Sequence, residues 1–360
     1  MKLLLLGDIC PTTVTAPFFE ARDTATLFTD VLPSLQGNDF TFANLECAIT
    51  QSENKIPKFG SHLKAPFETA EVLRSIGVDC VGLSNNHVFD FGKEGIADTL
   101  KALERNKIAY TGFGSNYDAS RKNHIVTKDG EKIALIAVCE HEYSYALENR
   151  MGSRPYDEYD TIEDIRKAKE SCDRVIVFYH GGKEFSRYPS PRLHKLCRAM
   201  VRNGADVVLC QHSHCIGCYE NYAGGHILYG QGNFHFVKPH SFDGWYTSLA
   251  VRYNTQRNEI EFIPLENTET GIRLAADREQ ILKDFAERNQ KLQNGQWREG
   301  WQAFCADVRK KYIDTISNAF TENSTQRQND MFSHYLDCEA HTDVWRELCP
   351  SYNLTNCIND

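Results

Sequence analysis

Two histidines two residues apart, His212 and His214, follow the apolar run 207–210, and other apolar runs end in groups of the same kind. Asp8 follows run 3–6, and His180 follows run 175–179. Asn86 and His87 follow run 81–83 inside Ser84-Asn85-Asn86-His87, and Glu46 closes Asn44-Leu45-Glu46. Carboxylates, an amide and imidazoles together form a mixed nitrogen and oxygen donor set, which suits Zn, Mn or Fe better than Ca. A carboxylate such as Glu46 can bridge two cations. In an extended segment residues i and i+2 project to one side, so the rings of His212 and His214 are expected to face one cluster. Each group alone has a plainer explanation. A lone Asp after a strand is usually a turn or N-cap residue, an Asn pair is usually a turn, and a single strand-end histidine is usually structural. Five strand ends bearing one chemical type in order are poorly explained by independent accidents, and a joint metal site is the expectation.

The elements that must position these groups are legible as patterns. Runs 3–6, 81–83, 133–138, 175–179 and 207–210 are short and almost continuously apolar, as in strands covered on both faces. Between them lie helical stripes, such as Ile96, Leu100 and Leu103, and Leu193, Leu196, Cys197, Met200 and Val201, with Gly204 where the second should stop. Strand and helix alternate to about residue 215, which predicts an α/β domain whose ligand groups sit outside the carboxyl ends of the strands. From Gly225 to Pro264 the pattern predicts a meander of strands at 227–229, 234–237, 247–253 and 260–263. Beyond it the composition changes to polar helix with an apolar stripe of Trp301, Phe304, Val308 and Tyr312. The expected division is a main domain over 1–265 and a helical extension over 266–360, packed on that domain or used for homo-oligomer formation.

Composition limits the function. The 360 residues hold 40 basic and 49 acidic side chains, a net charge of -9, which argues against a nucleic-acid partner and against a polybasic membrane binder. The leucines at 3–6 are too few for a signal peptide or a spanning helix, so no membrane segment is predicted and a cytoplasmic location is expected. Thirteen scattered cysteines suggest reduced thiols. Cys215 and Cys218 form a C-x-x-C pair with no second pair at zinc-binding spacing, and an inert pair is expected; Cys305, Cys338, Cys349 and Cys357 are expected to be buried or idle.

Eight motifs follow one another in order over residues 1 to about 265. They are Gly7-Asp8, Asn44-Leu45-Glu46, Leu63-Lys64-Ala65-Pro66, Ser84-Asn85-Asn86-His87 with Asp90 and Gly92, His180-Gly181-Gly182-Lys183-Glu184, Asn203-Gly204-Ala205-Asp206, His212-Ser213-His214, and Tyr229-Gly230-Gln231-Gly232-Asn233-Phe234. In this order the chain resembles the CapA family of capsule, or poly-gamma-glutamate, biosynthesis proteins, relatives of the calcineurin-like metallophosphoesterases. The resemblance implies a four-layer α/β/β/α metallophosphoesterase-like sandwich, here with a C-terminal helical extension, and a site for two divalent or trivalent transition-metal ions (Mn, Fe or Zn). It maps Asp8, Glu46, Asn86, His180, His212 and His214 onto metal-ligand positions. It maps His87 onto the histidine that contacts the reacting group, with Asp90 orienting it. Three positions depart from the pattern: Cys10 stands where the phosphoesterases usually have a histidine, Gly181 where tryptophan is usual, and Gly217 where glutamine is common.

The function that follows is a metal-dependent hydrolase acting on an anionic small-molecule or polymer substrate, through a phosphoester or a gamma-glutamyl amide, in capsule or surface-polymer biosynthesis. Glu184, four residues beyond His180, is a candidate acid/base or supporting group. Lys183, Arg187 and Arg192 are candidate contacts for a polyanion or simply a solvated face. The alternative is a non-catalytic accessory protein that binds polymer or biosynthetic partners.

Overall fold

The leucines at 3–6 are continuous because alternate side chains serve two different cores. In the computed structural model, which describes residues 1–140 and 142–349, Leu3 and Leu5 point into one hydrophobic cluster and Leu4 and Leu6 into another. The same division recurs in the second sheet. Ile176 and Phe178 face the inner cluster, and Val177 and Tyr179 the outer one. Removing any of these side chains costs about 2–5 kcal/mol, as for Leu5→Ala.

Two sheets stack face to face. The first has eight strands in the order Ile272–Leu274, Glu259–Asn267, Thr247–Asn254, Lys2–Ile9, Phe40–Leu45, Cys80–Gly82 and Ala109–Thr111, with Asn233–His235 also paired to Lys2–Ile9. The second has six, in the order Tyr219–Tyr222, Gly225–Leu228, Val207–Gln211, Arg174–His180, Glu131–Cys139 and His124–Lys128. Phe42 and Phe178 stack across the interface with ring centroids 3.5 Å apart. Helices Thr69–Ser75 and Gly92–Arg105 cover the outer face of the first sheet, and Glu158–Ser171 and Pro191–Arg202 that of the second. The result is the four-layer α/β/β/α sandwich.

The expected meander over 225–264 is not formed, because its strands divide between the sheets. Gly225–Leu228 lies parallel to Val207–Gln211 in the second sheet, whereas Asn233–His235 lies parallel to Lys2–Ile9 in the first. The crossing between them is tight. A Cβ on Gly7 would lie 2.3 Å from the carbonyl oxygen of Gly232, and Gly232 itself has φ 77°. Only glycine permits this contact, and periodicity alone does not reveal a change of sheet. Thr247–Asn254 and Glu259–Asn267 then form an antiparallel hairpin, and Ile272–Leu274 pairs with the latter, so the sheet continues past residue 265.

Helices Arg278–Gln293, Trp297–Asn318, Gln326–Asp337 and Glu339–Leu348 follow. The last three share a core of Trp301, Cys305, Tyr312, Tyr335 and Val344, with Phe304 and Val308 packed at its margin. This tail rests on the sandwich: Trp297 lies 4.7 Å from the His194 ring, and Asp343 receives Ser190 Oγ at 2.6 Å and Arg192 Nε at 3.0 Å. Cys357 lies outside the described residues. Among those residues no helix is long and apolar enough to cross a membrane.

Candidate metal centre

The strand registers bring the polar groups to one end of both sheets. Asp8 is level with Asn44 and with Asn233, and His180 with Gln211. Across the sheet interface the Asp8 carboxylate accepts the backbone N–H of His212 at 3.1 Å, which ties the first strand of one sheet to the strand-end loop of the other.

Two clusters of ligand atoms form here, and they share one residue. Glu46, His180 and His212 place their atoms within 4.8 Å of one another, and so do Asp8, Glu46 and His214. Glu46 is fully buried, and neither carboxylate oxygen accepts a hydrogen bond from any described residue. His180 Nε2 is 3.4 Å and His214 Nε2 4.0 Å from its Oε1. A buried carboxylate without donors is costly unless a cation or proton meets it. Burial accordingly pushes Glu46 above the usual carboxylate range. Burial and the neighbouring Glu46 push Asp8 up to about 6, and burial pulls His180 down to about 4. The donor set therefore fits transition-metal ions on its own chemistry.

The supporting residues orient this set. Asn44 Nδ2 donates to Asp8 at 2.8 Å and lies 3.1 Å from His180 Nδ1. Asn86 Oδ1 is 2.9 Å from His180 Nε2, and Asn233 Oδ1 is 2.8 Å from His214 Nδ1. His212 and His214 reach the cluster by a route the sequence reading did not foresee. The strand ends at Gln211, and both histidines occupy left-handed backbone, at φ 79° and 54°. The loop curls the rings together, with centroids 5.7 Å apart; extended alternation plays no part.

Beside the clusters, His87 Nδ1 is 2.7 Å from Asp90 Oδ2, and Asp90 also receives the backbone N–H of Leu63 at 2.7 Å. Lys58 is the residue the sequence did not announce. Its ammonium, almost fully buried, contacts Asp90, the Asn86 carbonyl at 3.2 Å and His87 Nδ1 at 3.2 Å. Burial alone would raise Asp90, but His87 and Lys58 hold it below its ordinary value; burial and Lys58 lower His87. Lys58 lies in the long segment between Ile49 and Lys64, which forms no regular element and carries no periodic signal.

Residues 2–238 match the family described as bacterial capsule synthesis protein PGA_cap. The chain belongs to that family. It is similar to the PGA biosynthesis protein CapA of Bacillus subtilis, at 30% identity over 72% of this chain and 70% of that one. It is also similar to the capsule biosynthesis protein CapA of Bacillus anthracis, at 26% identity over 81% and 74%. Among solved structures, a 5'-nucleotidase from Candida albicans aligns with 75% of this chain and 52% of its own at a TM-score of 0.42 and 9% identity.

In this capsule-family chain a cavity of about 250 Å³ opens over the clusters, lined by His87, His212, His214 and Glu184 among others. Glu184 belongs to neither cluster and lies 3.2 Å from Lys183. Neither Arg192 nor Arg187 lines the cavity: Glu140 and Asp343 occupy the Arg192 guanidinium, and Arg187 lies over the Phe242 ring. Cys10 also lies outside both clusters, its thiol buried in the outer core. Burial pushes the thiols of Cys215 and Cys218 up to about 11 and about 12, opposite to what a reactive pair requires.

Proposed function

We propose that this PGA_cap-family chain is a metal-dependent hydrolase of surface-polymer biosynthesis that cleaves a phosphoester or a gamma-glutamyl amide in an anionic substrate. The Glu46 carboxylate carries this conclusion: it is buried, receives no hydrogen bond from any described residue, and is common to two ligand clusters. Two ions would be held by Asp8, Glu46 and His214 and by Glu46, His180 and His212, with Asn86 completing a shell. Bound there, such ions act as Lewis acids that polarise the scissile group and offset its developing charge.

The chain's own residues do the rest. Asn44 and Asn233 fix the orientation of Asp8, His180 and His214. Asp90 and Lys58 engage His87 Nδ1, so Nε2 is the nitrogen that exchanges a proton with a bound molecule. Glu184 is suited to a supporting acid/base role at the cavity wall.

A second reading, a non-catalytic accessory that binds polymer or biosynthetic partners, draws on the name of one relative, a probable polyglutamine synthesis accessory protein of Mycobacterium tuberculosis, 26% identical over 54% of this chain and 55% of its own. Elemental analysis of purified protein with a panel of aryl phosphates and gamma-glutamyl amides separates the two. The hydrolase contains about two transition-metal ions per chain, and His180→Ala loses both metal and turnover. A chain without metal that is indifferent to His180→Ala is the accessory.

A further inference from the structure

The cavity above the clusters is closed partly by the tail. Lys238 follows the Asn233–His235 strand of the sandwich, and Lys311 belongs to the tail helix Trp297–Asn318, yet both line the cavity that contains His87 and the two loop histidines. The cavity's other two lysines are neutralised, Lys58 by Asp90 and Lys183 by Glu184. Lys238 and Lys311 are not: among the described residues neither has a carboxylate within ion-pair distance. Each ammonium rests on aromatic rings. Lys238 is 4.4 Å from the Trp245 centroid and 4.8 Å from that of Phe236, and Lys311 is 5.7 Å from that of Tyr335.

An aromatic face holds an ammonium in place without cancelling its charge. Such a lysine is positioned but still able to pair with an incoming anion. Two of them on one small cavity call for more negative charge than the group at the ligand clusters brings. The cavity, about 250 Å³, is also below the range of roughly 300–1,000 Å³ usual for ligand pockets, which favours a small molecule or a chain end over a polymer interior.

We propose that Lys238 and Lys311 bind a second anionic group of the substrate, so that the site selects a small molecule or chain end carrying two anionic groups, and the helical tail takes part in that selection. This rests on the hydrolase reading, in which the first anionic group lies at the ligand clusters.

Calorimetry on the full, Mn-loaded chain with phenylphosphonate and 4-carboxyphenylphosphonate tests it without turnover. In the unmodified chain the added carboxylate tightens binding about tenfold. In Lys311→Gln and in Lys238→Gln the ratio of the two dissociation constants falls towards one. Equal binding of both probes to the unmodified chain overturns the proposal, as does a ratio that survives both substitutions. If neither probe binds and elemental analysis of the same sample finds no metal, the hydrolase reading fails and this inference fails with it. If metal is present and neither probe binds, the inference alone is overturned.

Discussion

Buried carboxylates occur in two regions, and their surroundings differ. At the junction between sandwich and tail, Glu140 receives Tyr179 Oη, the Gly182 N–H and Arg192 Nη2, the last at 2.7 Å. Asp343 receives Ser190 Oγ and Arg192 Nε. At the strand ends Glu46 receives no hydrogen bond from any described residue. Both regions hold charge in a low-dielectric interior, so burial does not distinguish them. The distinction is whether the fold itself supplies the counter-charge. Where it does, the carboxylate fastens one part of the chain to another. Where it does not, the acceptor is left for something the chain does not encode.

Glu46→Gln separates the regions most sharply. Metal content and turnover fall about a hundredfold or more, while thermal stability holds or rises, because a buried charge without donors is removed. A marked loss of stability instead would put Glu46 in the same class as Glu140. At the junction Arg192→Met should do the reverse: metal is retained, and unfolding in denaturant shows a loss of about 3–5 kcal/mol, since two buried carboxylates lose their partner. Asn233→Ala, which releases only the orientation of His214, should weaken metal binding about 10–100-fold in a chelator competition without unfolding the chain.

The smallest effect concerns pH at the junction. Burial first, then Arg198 and Arg298, pulls His194 down to about 4, against the pull of Glu220 at 3.6 Å, with Trp297 packed on the ring. The unfolded histidine titrates near 6.5, so between these values the unfolded chain binds the extra proton. This contribution is complete above about pH 6.5 and declines as pH falls towards 4. His194→Phe should flatten that part of the stability profile in denaturant titrations at several pH values. An unchanged slope would assign the acid sensitivity to other groups.

The strand positions of the sandwich were legible because two-faced burial leaves nearly unbroken apolar runs, and the groups that end those runs stand out against them. Asp8, Glu46, His180, His212 and His214 were found this way, and the structure draws them into one place. Asn44 and Asn233 stood in plain view inside quoted motifs, but an amide that orients a neighbour has the same local signature as one that makes a turn. Lys58 and Lys238 gave no signal, since their positions depend on contacts with residues far away in sequence. The tail's stripe was visible through Trp301 and Tyr312, whereas its place at the cavity was not. The change of sheet at Gly232 was hidden for the same reason: periodicity reports which face a residue takes and is silent on which sheet it joins.

The left-handed corners at His212 and His214 bear on how this protein would respond to engineering. A residue with a Cβ pays roughly 1–2 kcal/mol for such a backbone, and glycine would relieve it. That relief is outweighed, because both rings are buried and that of His214 packs 4.7 Å from Trp245, so glycine would leave an unfilled cavity whose cost exceeds the strain removed. Selection for heat tolerance alone would therefore keep both imidazoles, and the twisted corners beneath them would persist.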